Sequence, residues 1–277
     1  MSGLRLAYNT NGLQSHRLDE ALELLAGLGY DGVALTLDCV HLDPLRAGPG
    51  EVAAVGRLLR RLRLACTVET GARFVLDPRR KHRPTLFDPR PLERMRRVDL
   101  LLREVEIAAD LGAEALTLPA GPLDEAQDGA DARRFLVEGL REVLARADAR
   151  GLPLALEPEP GHLVDDLAGW RALADELPGL GLTLDVGHVS VARPEGTPAE
   201  AIRAHAGRLL AVHLEDAPRG VHAHLPYGEG DLDLRGVVGA LREVGFGGLC
   251  AVELSRHSHA AHETTAAAIA AVRAAEG

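Results

Sequence analysis

Short apolar runs of β character recur along the chain, each followed by a longer stretch with helical spacing, and this alternation restricts the fold more than any other feature. Leu4 to Asn9 reads as a first strand. Leu18, Ala21, Leu22, Leu25 and Leu28 then repeat at helical spacing, stop at Gly29 and feed a second strand over 32–37. The same rhythm predicts strands over 64–69, 115–118, 152–156, 182–184, 209–214 and 249–254. Helices are expected over 50–62, 92–111, 131–149, 165–177, 198–206 and 234–244, with a last alanine-rich helix from about 259. Eight strands and eight helices leave no stretch for a linker in 277 residues, and no GxGxxG follows the first strand. The prediction is a single α/β domain over residues 1–277, a closed (β/α)8 TIM barrel rather than an open doubly wound sheet.

Three long βα connections, 38–49, 70–91 and 215–233, interrupt the rhythm. In such a barrel they share the C-terminal face, where active sites are built. Apolar residues at 46% and charged residues at 26% supply a core and a soluble surface, and no apolar run approaches the ~20 residues of a membrane span. A net charge of -10 argues against a nucleic-acid partner. Cys39, Cys66 and Cys250 are odd in number, form no CxxC and sit in apolar stretches. They are read as buried thiols of a cytoplasmic protein. Lys81 is the one lysine beside thirty arginines.

The last four strands end in ionisable residues: Leu156-Glu157-Pro158-Glu159-Pro160-Gly161-His162, Leu184-Asp185-Val186-Gly187-His188, His213-Leu214-Glu215-Asp216 and Val252-Glu253-Leu254-Ser255. Consecutive strands thus deliver Glu157, Asp185, His213 and Glu253 to one rim. Three carboxylates and an imidazole can surround one divalent cation, Mn, Mg or Co by the oxygen majority, Zn through the imidazole. Without a cation the carboxylates repel one another. Taken singly, each is a cap or a surface charge; four in register point to a site.

These four segments resemble the xylose isomerase-like TIM-barrel superfamily, which includes sugar phosphate isomerases/epimerases, ketose 3-epimerases, inosose dehydratase, hydroxypyruvate isomerase and the endonuclease IV branch. The resemblance covers essentially the whole chain. It implies that Glu157, Asp185, His213 and Glu253 are the metal ligands and that Glu157 and Glu253 also act as acid and base. His188, three residues after the aspartate, and Arg219, six after the histidine, match positions where ketose epimerases bind substrate oxygens. The Pro226-Tyr227-Gly228-Glu229-Gly230-Asp231 turn is common in the superfamily and shapes the rim. His222 and His224 alternate, so in an extended segment only one faces the metal. His224 is read as a substrate contact. The endonuclease branch places Asp where His222 stands and a histidine after strand four, where this chain has Pro119-Ala120-Gly121; a trinuclear site is not expected.

Polar groups ending the first strands, Tyr8, Asn9, Asn11, Asp38, His41 and Glu69, are candidates for orienting hydroxyls or for capping turns, and Glu69 is taken as substrate-binding. The basic segments 79–83 and 90–97 read either as a solvated loop or as a lid that binds an anion or a partner subunit, so homo-oligomerisation stays open. The expected activity is metal-dependent isomerisation or epimerisation of a small sugar or cyclitol through an enediolate. A lyase of the inosose dehydratase type, a phosphodiesterase and a non-catalytic sugar-binding barrel are the alternatives.

Overall fold

The computed structural model describes residues 3–71, 73–124, 127–191 and 196–277. The strands are β1 (Arg5–Asn9), β2 (Gly32–Thr36), β3 (Ala65–Glu69), β4 (Leu116–Pro119), β5 (Leu154–Glu157), β6 (Gly181–Asp185), β7 (Leu209–Leu214) and β8 (Leu249–Val252). All pair in parallel with their sequence neighbours, and β1 pairs with β8, which closes the barrel. The helices are α1 (Leu18–Leu28), α2 (Pro49–Leu62), α3 (Pro91–Leu111), α4 (Gly129–Ala149), α5 (Leu167–Glu176), α6 (Val186–Val191), α7 (Pro198–His205), α8 (Leu234–Glu243) and α9 (Ala261–Glu276). The short α6, which starts directly after β6, was not expected. None of the described helices is long and apolar enough to cross a membrane.

Side chains alternate along each strand, so one set points outward to the helices and the other into the barrel. The outward set is leucine- and valine-rich (Leu6, Leu35, Leu156, Leu184, Val212, Val252) and packs in one continuous core against the helices. The inward set is small. Ala7, Ala34, Ala65 and Ala251 gather with Leu249 inside the barrel, and Thr117 of β4 reaches Thr183 of β6 across it at 2.8 Å. Gly32 shows how tight this end is: a Cβ there would lie 2.8 Å from Leu249 Cδ1.

The next inward position, two residues after each small one, falls at the C-terminal mouth. Asn9, Thr36, Glu69, Pro119, Glu157, Asp185, His213 and Glu253 occupy these places in strand order. Glu253 lies one residue beyond β8 but keeps its ladder bond, its N–H donating to Leu214 O at 3.0 Å. A narrow alanine and threonine layer thus supports a ring of polar groups at the mouth.

One expectation changes in detail. Cys66 and Cys250 are buried, and burial pushes both thiols up to about 12, but Cys39 is exposed. It stands in the turn after β2, where Asp38 accepts the N–H groups of Val40 and His41 and directs the intervening side chain outward. Trp170 packs inside α5 and donates its indole N–H to Gly181 O at 3.1 Å.

Candidate metal centre and active site

Glu157, Asp185, His213 and Glu253 converge, each offering one ligand atom within 4.8 Å of the others. His213 Nδ1 lies 3.0 Å from Glu157 Oε1 and 2.9 Å from Glu253 Oε2. Its Nε2 faces Glu69 Oε1 at 3.1 Å on the other side. Burial opposes charge on this imidazole, but Glu157, Glu69 and Glu253 outweigh it and raise its pKa well above the usual histidine value. As an imidazolium it donates from both nitrogens to carboxylates. With a cation in the quartet, the Nε2–H to Glu69 contact would remain and leave the Nδ1 lone pair to the ion, the carboxylate–histidine–metal arrangement.

The two glutamates differ. Burial pushes Glu157 up to about 7 against the pull of His213 and His188. Glu253 feels the same burial but is held well below the carboxylate range by His213, His224 and the Asn11 amide, whose Nδ2 donates to Oε1 at 2.7 Å. Asp185 uses Oδ1 to accept the His188 N–H at 2.9 Å, which caps α6. Its Oδ2 is buried without a partner. An orphaned buried carboxylate oxygen costs a few kcal/mol, roughly, unless a cation meets it. Three carboxylates and one imidazole with an unsatisfied oxygen among them fit a divalent metal ion.

Around this centre the second half of the barrel is tightly built. His188 donates Nδ1–H to Pro158 O at 3.0 Å, and its Nε2 lies 3.0 Å from His222 Nε2. Burial opposes charge on His188, but Asp185, Glu157 and Glu159 raise its pKa, whereas burial and His188 lower His222 to about 4. The His188 Nε2 thus faces a neutral His222. His224 lines the cleft and contacts Glu215, a fully buried carboxyl pushed up to about 12 by desolvation and the nearby carboxylates. Only His224 of the alternating pair lines the cleft. Gly187 is required here: a Cβ would lie 2.0 Å from Glu215 Oε1. Asp216 organises the rim loop by accepting N–H groups from Gly228, Gly230 and Leu232 at 2.8, 3.0 and 2.9 Å.

The cleft above the quartet encloses about 610 Å³, part of it open solvent, and its wall includes Asn9, Asn11, Glu69, His188, His224 and Ser255. Arg219 does not join them. It is exposed, because a reverse turn at Pro218–Val221 carries it outward while its backbone N–H donates to Asp231 at 2.9 Å. Asp38 and His41 serve their own turn, and Tyr8 is buried against Tyr30. Glu159 and Arg73, given no role from sequence, also reach the wall, with Lys81 and His82 of the basic segment 79–83. A larger groove on the outside of α2, α3 and α4 is lined by Glu106 and Arg146, which pair with one another, and holds no such convergence.

The profile of the family described as xylose isomerase-like TIM barrel matches residues 22–275. The chain belongs to this family. L-ribulose-5-phosphate 3-epimerase UlaE of Shigella flexneri serotype 5b (strain 8401) is 25% identical over 239 residues, 85% of this chain and 81% of its own. A D-tagatose 3-epimerase-like protein superposes with a TM-score of 0.79 at 19% identity, over 98% of this chain and 99% of its own. The IOLI protein, solved with a bound zinc atom, gives 0.78 at 18% identity, over 99% and 94%. These two structural likenesses establish the shared fold.

Proposed function

We propose that the chain is a divalent-metal-dependent sugar epimerase that works through an enediolate on a small polyhydroxylated carbonyl compound. The observation that carries this reading is the approach of two carboxylates from well-separated strands, Glu157 of β5 and Glu253 after β8, to 3.0 and 2.9 Å from one His213 nitrogen. Inversion at a carbon beside a carbonyl needs a base on one face and an acid on the other, and two carboxyl groups of unlike proton affinity provide both. The names of the relatives, 3-epimerases acting on ketoses, favour epimerisation over loss of water.

Glu157, Asp185, His213 and Glu253 would hold the ion, with Mn, Mg, Co or Zn all compatible with the donors. When bound, it supplies the positive charge that lowers the cost of charge developing on the carbonyl oxygen. In one direction the Glu253 carboxylate removes the proton next to the carbonyl and the Glu157 carboxyl returns one to the opposite face. The roles exchange in reverse. Asn11 holds Glu253 in place, Glu69 holds His213, and His188, His224 and Glu159 are placed to meet substrate hydroxyls. Free thiols suit a reducing cytoplasm.

The test is incubation of metal-loaded protein with ketopentoses and ketohexoses in D2O, followed by NMR. The expected product is an epimer carrying one deuterium at the inverted carbon, from protein that binds about one metal equivalent and loses it in His213→Ala. A dehydrated product would replace this reading with the lyase, and nicking of an abasic duplex would replace it with the phosphodiesterase.

A further inference from the structure

The basic segment after β3 is largely neutralised by its own neighbours. Arg80 pairs with Asp77 at 2.7 Å, Arg83 with Asp124 at 2.5 Å, Arg90 with Asp88 at 3.0 Å and Arg96 with Glu93 at 2.9 Å. Arg94 donates to Asp88 O at 2.8 Å and stacks on Phe135, and the buried Arg97 donates to Thr70 O at 3.0 Å. The side chains of Arg73 and Lys81 have no salt bridge or hydrogen bond among the described residues, and these two residues line the cleft. The backbone holds them together: His82 N–H donates to Arg73 O at 2.6 Å and closes the loop at its neck. Two unpaired cations thus stand on the wall of a cleft whose floor is acidic.

We propose that Arg73 and Lys81 form an anion subsite at the mouth of the cleft, so that the sugar carries a terminal oxyanion, phosphate or carboxylate, at the end remote from the reacting carbon. This rests on the epimerase reading for the reaction but not for the binding. The relatives do not decide the matter, since their names include a phosphorylated ketose and unphosphorylated ones.

A second metal ion is the competing occupant, because His82, Glu159 and His162 also lie within ligand distance of one another, and His82 Nε2 is buried without a partner. Electrostatics selects against it. Burial and then the positive charge of Lys81 lower His82 to about 3, with Arg97 and Arg73 adding to the effect. The same charges repel a cation and attract an anion.

The experiment compares kcat/KM for L-ribulose with L-ribulose 5-phosphate, and for D-tagatose with D-tagatose 6-phosphate and a terminally carboxylated ketose. Wild type is expected to prefer an anionic member, which also tells phosphate from carboxylate. Arg73→Gln and Lys81→Gln should each lower the anionic-to-neutral ratio roughly tenfold through KM, about the worth of one charge-assisted hydrogen bond. Lys81→Arg should restore most of it. Equal losses on both substrates, or a wild-type preference for neutral sugars, would overturn the subsite.

A binding arm separates failure of this proposal from failure of the epimerase reading. Titration calorimetry with inorganic phosphate and with the sugar phosphate should show binding to wild type that the double variant loses, whatever reaction the protein catalyses. No binding at millimolar concentration, or binding that survives in the double variant, would refute it. Zinc bound beyond one equivalent and lost in His162→Ala would show that a metal takes the place instead.

Discussion

Strands β5 to β8 end in Glu157, Asp185, His213 and Glu253, whereas β1 to β4 end in Asn9, Thr36, Glu69 and Pro119. Both sets occupy the same inward position of the same repeating unit, yet one half carries the quartet proposed to hold a metal and the other carries groups that brace it. Asn11 grips Glu253 and Glu69 grips His213 across the mouth. Asn9 fixes the turn beneath, accepting from Asn11 N–H at 3.1 Å and from the Thr36 hydroxyl at 2.8 Å. A barrel lets four neighbouring strands crowd their charges because the opposite four, Glu69 apart, bring neutral groups to the mouth.

The division is tested most severely in the second half. Glu157→Gln should keep the shape but remove a proton carrier and a ligand charge, and turnover is expected to fall by about 10²- to 10⁴-fold. Metal content measured on the same preparation should drop as well. Full activity in that variant would break the assignment. In the first half Glu69→Gln tests a supporting group: metal affinity should weaken by roughly 10- to 100-fold, as for other partners of ligating histidines. A competition titration with a chelator measures this, and saturating metal should recover most of the turnover. If added metal recovers nothing, Glu69 acts on substrate and the two halves share the chemistry more evenly.

Asn11→Ala is expected to do less. It removes one hydrogen bond to a carboxylate and leaves every ligand present, so kcat should fall roughly tenfold, about the worth of such a bond. The pH profile would identify the cause. Without the Asn11 amide the Glu253 pKa rises, and the acidic limb of the profile should shift to higher pH; an unshifted limb would mean that Asn11 only shapes the cleft.

The quartet and the barrel were legible in the sequence because both are local. An eight-fold alternation places each strand end at the mouth, and a two-residue period decides which side chain points inward. What stayed hidden depends on contacts between distant positions. Arg73 and Lys81 reach the cleft because a backbone bond joins His82 to Arg73 and because nearby carboxylates engage most of the other arginines. Asp216 reads as one more ionisable rim group, yet three amides twelve to sixteen residues later claim it. Arg219 had the right spacing for a substrate contact, but a turn sends it outward. The α6 helix follows from Asp185 acting as a cap as well as a member of the quartet, a double use that residue type alone does not reveal.

Burial raises carboxyl groups in both halves, and the smallest prediction contrasts one from each. Glu157, at about 7, has His213 beside it to offset its desolvation. Glu104 on α3, at about 8, is fully buried, and neither of its oxygens has a hydrogen-bond partner; Arg97, two turns earlier, acts on it only through space. A folded pKa above the unfolded value of 4.5 means that the native state holds the proton more tightly. Its contribution to stability is fully present below pH 4.5 and is lost as the pH rises through about 8. Glu104→Gln keeps the shape and removes the ionisation, so the variant should melt like wild type near pH 4.5 and progressively above it toward pH 9. The gain at pH 9 should reach at least about 1 kcal/mol, a rise of roughly 2 °C. Thermal melts at pH 4.5, 7 and 9 measure it. A constant offset across that range would mean that Glu104 titrates alike in the folded and unfolded chain, and its burial without a partner would then cost this half of the barrel nothing.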